Sequence, residues 1–276
     1  MNVPHRPSLH VTQLYVYPVK SCRGIAVDVL EFDPFGAVAD RRFLVVDEQG
    51  LAVTQRSDPA LATVATALNP THLTLQHEQL GVLQVPRASP EAAPRQVQVW
   101  GDAGLHSDDC GDAAADWFST LLGRRVRLVR TAADFQRPVR RSNADQVGFA
   151  DAYPLLVLTE ASLALLNERL SANGAEPVPM NRFRPNVVIG GGEPHAEDTW
   201  TEIRIGEVLI QPATPCARCV MVTTDQLTGA RHREPLQTLA RYRRDPAKPQ
   251  DVNFGRNAIN VTKRGQIRVG DPVVAR

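Results

Sequence analysis

Two cysteines, Cys216 and Cys219, form a C-x-x-C motif within the segment "TPCARC". A structural zinc ion would need four ligands, and neither the two distant cysteines nor His232 completes such a set. A dithiol redox pair usually lies at the N-terminus of a helix that follows a strand, whereas here a predicted strand at residues 220–223 follows the motif. A third alternative is two buried thiols that pack as small apolar side chains. That alternative suits Cys219 least, because Arg218 beside it favours the thiolate, which is the form that binds a metal.

Two arginines alternate around an aromatic residue in the segment "NRFRPNVVIGG". On an extended chain Arg182 and Arg184 would share one face on either side of Phe183. Pro185 keeps Arg184 out of a helix. Two guanidinium groups on one face suit a phosphate or a carboxylate, and a solvated strand edge is the alternative.

A lysine and a serine follow the first predicted strand, in "LYVYPVKSCRG". No glycine-rich loop precedes Lys20 and Ser21, so this is not a Walker loop, but an ammonium and a hydroxyl can still hold an anion. An exposed turn is the alternative. Arg41 and Arg42 in "ADRRFLVV" would point to opposite sides of a strand, one solvated and one inward. Together, these cationic and hydroxyl groups with one candidate thiolate suit a large phosphate-bearing cofactor that carries a soft metal.

Short strands must position these groups, because β-like runs of apolar residues dominate the first half of the chain. A helix through "CGDAAADWFSTLLG" would be capped by Asp108 or Asp109 and would end at Gly123. Further along, "PLLVLT" is typical of a buried strand that leads into a helix capped by Thr159 and ended by Gly174. The β-like runs of the first half lie at residues 14–17, 26–32, 43–46, 73–75, 82–85, 97–100 and 126–129.

The second half continues with strands and one short helix, and "AINVTKRGQIRVGDPVV" predicts a hairpin at its end. Many short strands with few helices indicate a β-rich α+β fold with a barrel-like arrangement. A loose basic stretch, "TAADFQRPVRRSNADQ", marks a domain junction. We therefore predict two domains, over residues 1–130 and 131–276.

Composition narrows the function classes. The chain has 276 residues with 31 basic and 30 acidic side chains, a formal net charge of +1, so no general attraction to nucleic acid or to a membrane is expected. The segment "MNVPHRPSLH" lacks the apolar core of a signal peptide. No run approaches the roughly 18 apolar residues of a spanning helix. We expect a cytoplasmic protein with reduced thiols.

The segments "LYVYPVKSCRGI", "ADRRFLVVDEQGLAVTQR", "RFRPN" and "PCARC", in this order, resemble the MOSC family. That family is named for the C-terminal domain of molybdenum cofactor sulfurase, and by pattern this chain is similar to the amidoxime-reducing components and their bacterial counterparts. The resemblance implies a MOSC β-barrel domain over residues 131–276. It also implies a smaller N-terminal β-barrel-like domain of mixed sheet and helix over residues 1–130.

The resemblance further implies a molybdenum cofactor held between the two domains. Cys219 would ligate the molybdenum and would thereby be the catalytic residue. Contacts with the phosphate and the pterin of the cofactor would fall to Lys20, Ser21, Arg41, Asp151, Tyr153, Arg184 and Asn186.

The implied activity is reduction of N-hydroxylated small molecules such as amidoximes, N-hydroxylamines and hydroxylated base analogues. The chain has no four-cysteine cluster, so electrons would come from a separate donor protein of the ferredoxin, flavin reductase or cytochrome type. The alternative is a carrier of the molybdenum cofactor, or a sulfur carrier with a persulfide on Cys219. Pyridoxal phosphate binding is associated with the family through the sulfurase, whose pyridoxal phosphate domain does not fit in these 276 residues.

Overall fold

The structure is a computed structural model that describes residues 8–139 and 142–276, so most of the segment tested for a signal peptide lies outside the described residues. The strands and helices of the first part are β1 His10–Val16, β2 Ile25–Val27, β3 Val29–Asp33, β4 Gly36–Ala37, β5 Phe43–Val46, β6 Ala65–Leu68, β7 His72–His77, β8 Gly81–Pro86, β9 Pro94–Val99, β10 Asp102–Asp109, α1 Asp112–Leu122, β11 Arg127–Thr131, β12 Pro138–Val139 and β13 Ser142–Gln146. Those of the second part are β14 Leu155–Thr159, α2 Glu160–Ala172, β15 Val187–Gly190, β16 Ile203–Ile205, β17 Val208–Ala217, α3 Leu236–Ala240, β18 Asn253–Asn260, β19 Gln266–Arg268 and β20 Val273–Ala275.

An eight-stranded sheet forms the centre of the second part, in the order β2-β1-β15-β14-β18-β17-β16-β20. Strands β14 and β15 are parallel and are connected through α2, and the other pairs are antiparallel. Strands β1 and β2 belong to this sheet although they lie near the start of the chain. The β-rich α+β class is therefore confirmed, while the boundary at residue 130 stays a prediction.

Strand β14 is buried on both faces, which explains its continuous apolar run. Leu155 and Val157 pack into one core cluster, and Leu156 and Leu158 pack into another on the opposite face. Thr159 ends the strand and caps α2, because its hydroxyl accepts a hydrogen bond from the backbone N–H of Ser162 at 3.2 Å. The strand, its cap and the helix that follows are as predicted.

The first part contains a four-stranded sheet, β5-β11-β10-β9, and a three-stranded meander, β6-β7-β8. Helix α1 packs Phe118 into the core between them and ends at Gly123 in the left-handed conformation, as expected. The predicted caps of this helix are wrong, because Gly111 precedes its first residue. Asp108 and Asp109 end β10 instead, where their backbones pair with β11.

Two further predictions are wrong in the second part. Residues Val220–Thr223 form a 3₁₀ helix rather than a strand. The chain end is no hairpin, because β18 lies between β14 and β17, while β19 pairs with β3 and β20 with β16. Within the described residues, none of the helices has the length and apolar character needed to cross a membrane.

Candidate functional site

A cavity lies where loops of both parts meet, with a volume of about 790 Å³ including the solvent at its mouth. The structure brings every sequence-predicted site residue to this cavity, and their roles as ligands stay predictions. Those residues are Lys20, Ser21, Arg41, Asp151, Tyr153, Arg184, Asn186 and Cys219.

A buried tyrosine supports two of the arginines. The guanidinium carbons of Arg41 and Arg184 lie 4.2 Å and 4.3 Å from the centroid of the Tyr17 ring. The Tyr17 hydroxyl donates a hydrogen bond to the backbone oxygen of Pro185 at 3.1 Å. A Cβ atom on Gly24 would lie only 2.4 Å from the ring, so glycine is needed there. Cation–π contact with Tyr17 therefore places two positive charges beside the cavity.

The two guanidinium groups are close enough to affect each other's charge. Burial, together with the positive charge of Arg41, lowers the pKa of Arg184 to about 10. Arg184 still stays charged near neutral pH, and its Nη1 donates to the Cys22 backbone oxygen at 2.7 Å. Asp40 pairs with Arg41 from outside the cavity lining. The fold thus holds the buried Arg184 cation next to the partly buried Arg41 cation, and an anionic ligand would reduce the repulsion between them.

Three buried N–H groups in this cavity lining have no hydrogen-bond partner within residues 8–139 and 142–276. They are the Nε of Arg182, the Nη2 of Arg184 and the Nε of Arg218. A buried donor without a partner costs roughly 1–3 kcal/mol. Anionic oxygens of a phosphate would satisfy such donors, so the residues present fit a phosphate-bearing cofactor.

The backbone is strained at three residues of the cavity lining. Ser21, Arg41 and Arg184 have φ angles of 71°, 47° and 58°, in the left-handed region that favours glycine. The predicted extended face of Arg182 and Arg184 is therefore wrong, since Arg182 also ends the 3₁₀ helix Met180–Arg182. Side chains of these arginines nevertheless meet at the cavity. Clustered strain of this kind is typical of functional sites.

An aspartate neutralises part of the positive charge. Asp151 pairs with Lys20 and lies 3.5 Å from Arg56 Nη2, and it accepts a hydrogen bond from Trp100 Nε1 at 3.1 Å. Desolvation alone would raise the pKa of Asp151, but the adjacent charges and hydrogen bonds hold it well below its ordinary value. Burial lowers the pKa of Lys20, and Asp151 opposes that shift. The Lys20 ammonium group is therefore already paired with the Asp151 carboxylate.

Each cysteine of the C-x-x-C motif contacts a different arginine. The sulfur of Cys219 accepts a hydrogen bond from Arg56 Nε at 3.3 Å, and that of Cys216 lies 2.9 Å from Arg218 Nη1. All four cysteines are free thiols. In the part of the chain that the structure describes, no three histidine, cysteine or acidic residues are grouped to hold a metal ion, so the zinc alternative has no support. Each sulfur of the motif is therefore in contact with a positively charged side chain.

Two of the predicted contact residues already form hydrogen bonds with other groups of the protein. Asn186 Oδ1 accepts hydrogen bonds from Arg41 Nη1 at 3.1 Å and from the Leu156 N–H at 3.2 Å. The Asn186 side chain therefore holds Arg41 in position. The Ser21 hydroxyl accepts from the backbone N–H of Gln55 at 3.1 Å, and its own proton remains available to a ligand.

The cavity is strongly electropositive. Its only acidic lining residue, among the described part of the chain, is Asp151. A thiol, a hydroxyl and many cations together suit an anionic group that also carries a soft metal. The cationic lining residues are Lys20, Arg41, Arg56, Arg182, Arg184 and Arg218.

Sequence reasoning missed the roles of Arg56, Trp100 and Tyr17. The Arg56 guanidinium lies 4.1 Å above the Trp100 ring and also contacts the Cys219 sulfur. No local pattern marks Arg56, because its partners are far away in the sequence. The sequence pattern predicts Tyr17 and Trp100 only as the last residues of strands.

Comparisons with known proteins cover nearly the whole chain. Residues 8–125 match the family described as the MOSC N-terminal beta barrel domain, and residues 144–274 match the MOSC domain. The chain is 38% identical to mitochondrial amidoxime-reducing component 1 of Mus musculus, over 95% of this chain and 81% of that protein. It is 36% identical to the protein of the same name from Homo sapiens, over 95% of this chain and 82% of that protein. It is also 36% identical to mitochondrial amidoxime reducing component 2 of Bos taurus, with the same coverage of 95% and 82%.

Proposed function

The chain belongs to the MOSC family, and from this membership and the cationic cavity we propose that it is a molybdenum-cofactor-dependent reductase of N-hydroxylated small molecules. Amidoximes, N-hydroxylamines and hydroxylated base analogues are the proposed substrates. The relatives are named for amidoxime reduction and are similar over 95% of this chain, which supports this activity. We place the protein in the cytoplasm as part of the same proposal.

The observation that carries the proposal concerns one buried guanidinium N–H each of Arg182, Arg184 and Arg218, which has no partner within the described residues. These arginines line the same cavity as Cys219. Arginines bind phosphate oxygens through charge-assisted hydrogen bonds. A thiolate is a soft ligand that suits a molybdenum centre. Only a ligand that combines an anionic group with a metal uses both features of this cavity.

In the proposed complex, Arg184 and Arg182 hold the anionic end of the cofactor, and Ser21 donates its hydroxyl proton to it. Cys219 provides the sulfur ligand, and Arg56 Nε donates a hydrogen bond to that sulfur. Bound in this way, the cofactor supplies the two-electron reduction that converts an N–OH group and two protons into N–H and water. Asp151 is ionised near neutral pH, so it orients cationic side chains rather than donating a proton.

The remaining predicted contacts have supporting functions in this proposal. Asn186 fixes Arg41, whose guanidinium also donates to the Arg184 backbone oxygen at 3.2 Å. Tyr153 packs against Val139 and Val147 at the edge of the cavity, where it shapes the space for the pterin. The electrons come from a separate protein of the ferredoxin, flavin reductase or cytochrome type.

The test combines metal analysis with turnover. Protein purified from cells that synthesise the molybdenum cofactor is expected to contain close to one molybdenum per chain. It is expected to reduce benzamidoxime to benzamidine with chemically reduced methyl viologen. Protein from cofactor-deficient cells serves as the control. Absence of molybdenum from protein made in competent cells would contradict the proposal.

A carrier of the cofactor or of sulfur is the second candidate. It is favoured by the contact between the Cys219 sulfur and Arg56, because a sulfur beside a cationic hydrogen-bond donor can also carry a persulfide. Bound molybdenum without benzamidoxime turnover would indicate a cofactor carrier. A Cys219 persulfide, detected by mass spectrometry of the peptide, would indicate a sulfur carrier.

A further inference from the structure

A tryptophan occupies the turn of the hairpin between β9 and β10. The two residues of this turn are Trp100 and Gly101, because Val99 pairs with Asp102 across the hairpin. Trp100 has a φ angle of 55°, in the left-handed region. Two-residue hairpin turns favour glycine, asparagine or aspartate at a position of this kind. The turn itself therefore does not explain why a bulky aromatic residue is placed there at a conformational cost.

Contacts with residues far away in the sequence fix the indole in this conformation. Its Nε1 donates a hydrogen bond to the Asp151 carboxylate at 3.1 Å, and the Arg56 guanidinium covers one face of the ring at 4.1 Å from the centroid. The Lys20 Nζ lies farther away, at 5.9 Å from the same centroid. Asp151, Arg56 and Lys20 all line the cavity described above. The indole of Trp100 therefore lies at the rim of that cavity.

Packing into a core does not account for this tryptophan. Within residues 8–139 and 142–276, Trp100 belongs to none of the apolar core clusters. It remains 41% exposed although Arg56 covers one face of its ring. Backbone strain that is held in place by surrounding contacts is typical of ligand-binding sites. The strain and the exposure together indicate that the ring serves a ligand rather than the core.

The indole is close to the candidate metal ligand. Arg56 contacts both groups, since its Nε lies 3.3 Å from the Cys219 sulfur while its guanidinium covers the Trp100 ring. A single guanidinium group therefore separates the ring from the sulfur. A small substrate whose N–O bond lies beside this sulfur has its neighbouring substituent within reach of the indole. Aromatic substituents gain offset or edge-to-face stacking from such a ring, which small aliphatic substituents do not.

From the strained turn, the exposed ring and its closeness to Cys219, we propose that Trp100 is a specificity-determining residue that stacks against the aromatic ring of the substrate. The inference rests on the proposed reductase function. It names, as the substrates that this site favours, N-hydroxylated compounds in which an aromatic ring is next to the group that carries the N–O bond. Aryl amidoximes are the simplest members of this class. Trp100 contributes to their binding and takes no part in cleavage of the N–O bond.

The test compares benzamidoxime with acetamidoxime, which carries the same reacting group on a methyl substituent. KM and kcat are measured for both compounds with cofactor-loaded protein and reduced methyl viologen. The variants are Trp100→Asn, which suits the turn but has no ring, and Trp100→Phe, which keeps a ring without the indole N–H. Leu51→Ala is the matched control, because Leu51 is 42% exposed and lies outside the cavity lining.

We expect Trp100→Asn to raise the ratio of the benzamidoxime KM to the acetamidoxime KM by about fivefold, as the loss of one stacking contact predicts. Trp100→Phe should restore most of the wild-type ratio, and Leu51→Ala should leave the ratio unchanged. Any displacement of Arg56 affects both substrates, so it cancels in the ratio. A ratio that does not rise in Trp100→Asn, or that changes equally in the asparagine and phenylalanine variants, overturns the proposal.

Binding measurements separate this inference from the reductase proposal. Dissociation constants of both amidoximes are obtained by ligand-observed NMR titration of the protein as purified from cofactor-competent cells, without an electron donor. If the wild type reduces neither amidoxime, the reductase proposal fails. About fivefold weaker binding of benzamidoxime to Trp100→Asn, with a smaller change for acetamidoxime, still supports stacking on Trp100 in that case. Turnover of both amidoximes, with binding that does not depend on Trp100, supports the reductase and overturns the stacking.

Discussion

The Nε of Arg56 lies 3.3 Å from the sulfur of Cys219, although 163 positions separate the two residues in the chain. The same guanidinium group covers the ring of Trp100 and lies near Asp151. Arg56 therefore contacts both the candidate metal ligand and the carboxylate that pairs with Lys20. This contact is absent from any sequence pattern around either residue.

Replacement of Arg56 by alanine is expected to slow the reaction of the Cys219 thiol with iodoacetamide in cofactor-free protein. The reason is that Arg56 Nε donates a hydrogen bond to this sulfur at 3.3 Å, and iodoacetamide reacts with the negatively charged form of a thiol. Loss of a charge-assisted hydrogen bond predicts a decrease of about tenfold in rate near neutral pH. The measurement is mass spectrometry of the Cys219 peptide over time. Arg56→Lys should restore part of the rate, whereas equal rates in all three proteins would contradict the contact.

The two cysteines of the motif are expected to differ in function. Cys219→Ala should remove molybdenum and turnover while leaving the melting temperature nearly unchanged. Cys216→Ala should keep most of both, because Cys216 packs against an apolar cluster and is the weaker candidate ligand. Metal analysis and circular dichroism of the two variants provide the comparison. Equal losses in both would support a shared dithiol site instead.

Replacement of Arg184 by alanine is expected to weaken cofactor retention. The change removes the buried positive charge that would pair with the anionic ligand, so the binding free energy should weaken by roughly 2–5 kcal/mol. The cofactor-free variant should keep its fold, since the change also relieves repulsion from Arg41. Molybdenum content after gel filtration is the measurement. Arg204→Ala is the control, because Arg204 is exposed and lies on β16 outside the cavity. Undiminished molybdenum in the Arg184 variant would refute its assignment.

His195 is expected to make the protein less stable in mild acid. Burial, with the positive charge of Arg243, lowers the pKa of His195 to about 4 from its ordinary value of 6.5, although Asp198 opposes this shift. Its ring lies between those of Tyr242 and Phe254. Between pH 6.5 and 4 the unfolded chain binds a proton there that the folded chain does not, so stability falls as the pH falls through this range.

The test of this pH dependence is His195→Asn, because asparagine tolerates the left-handed backbone at this position but does not titrate. Urea unfolding at pH 7 and pH 5 should show a smaller decrease in the free energy of unfolding for the variant than for the wild type. An identical decrease in both proteins would show that other groups cause the acid effect.

Local sequence patterns predicted much of the scaffold. Strand β14 and its exit into α2 at Thr159 follow from a continuous apolar run and a capping residue, both of which act within a few positions. The hairpin expected after residue 258 failed because the partners of β19 and β20 lie elsewhere in the fold. Strand partners depend on contacts across the whole chain, which periodicity does not record.

For the candidate site, too, the sequence predicted one part and the structure was needed for the other. Family resemblance on short motifs named the residues that line the cavity, including Lys20 and Cys219. It did not indicate that Asp151 forms an ion pair with Lys20, or that Asn186 accepts a hydrogen bond from Arg41. Those pairings require side-chain positions that arise only when the loops of both parts meet.

The amino-acid sequence by itself determined the chemical content of the site: several permanently charged guanidinium groups, a hydroxyl and a thiol on segments bounded by apolar strands. The tertiary structure decided which of these groups remain available to bind a ligand. Packing placed Arg56 against Cys219, and it left one buried N–H each of Arg182 and Arg184 without a partner in the described part of the chain. The physical reason is that charge and hydrogen-bonding capacity belong to a residue type, whereas their use depends on which distant neighbours the fold brings within about 3 Å.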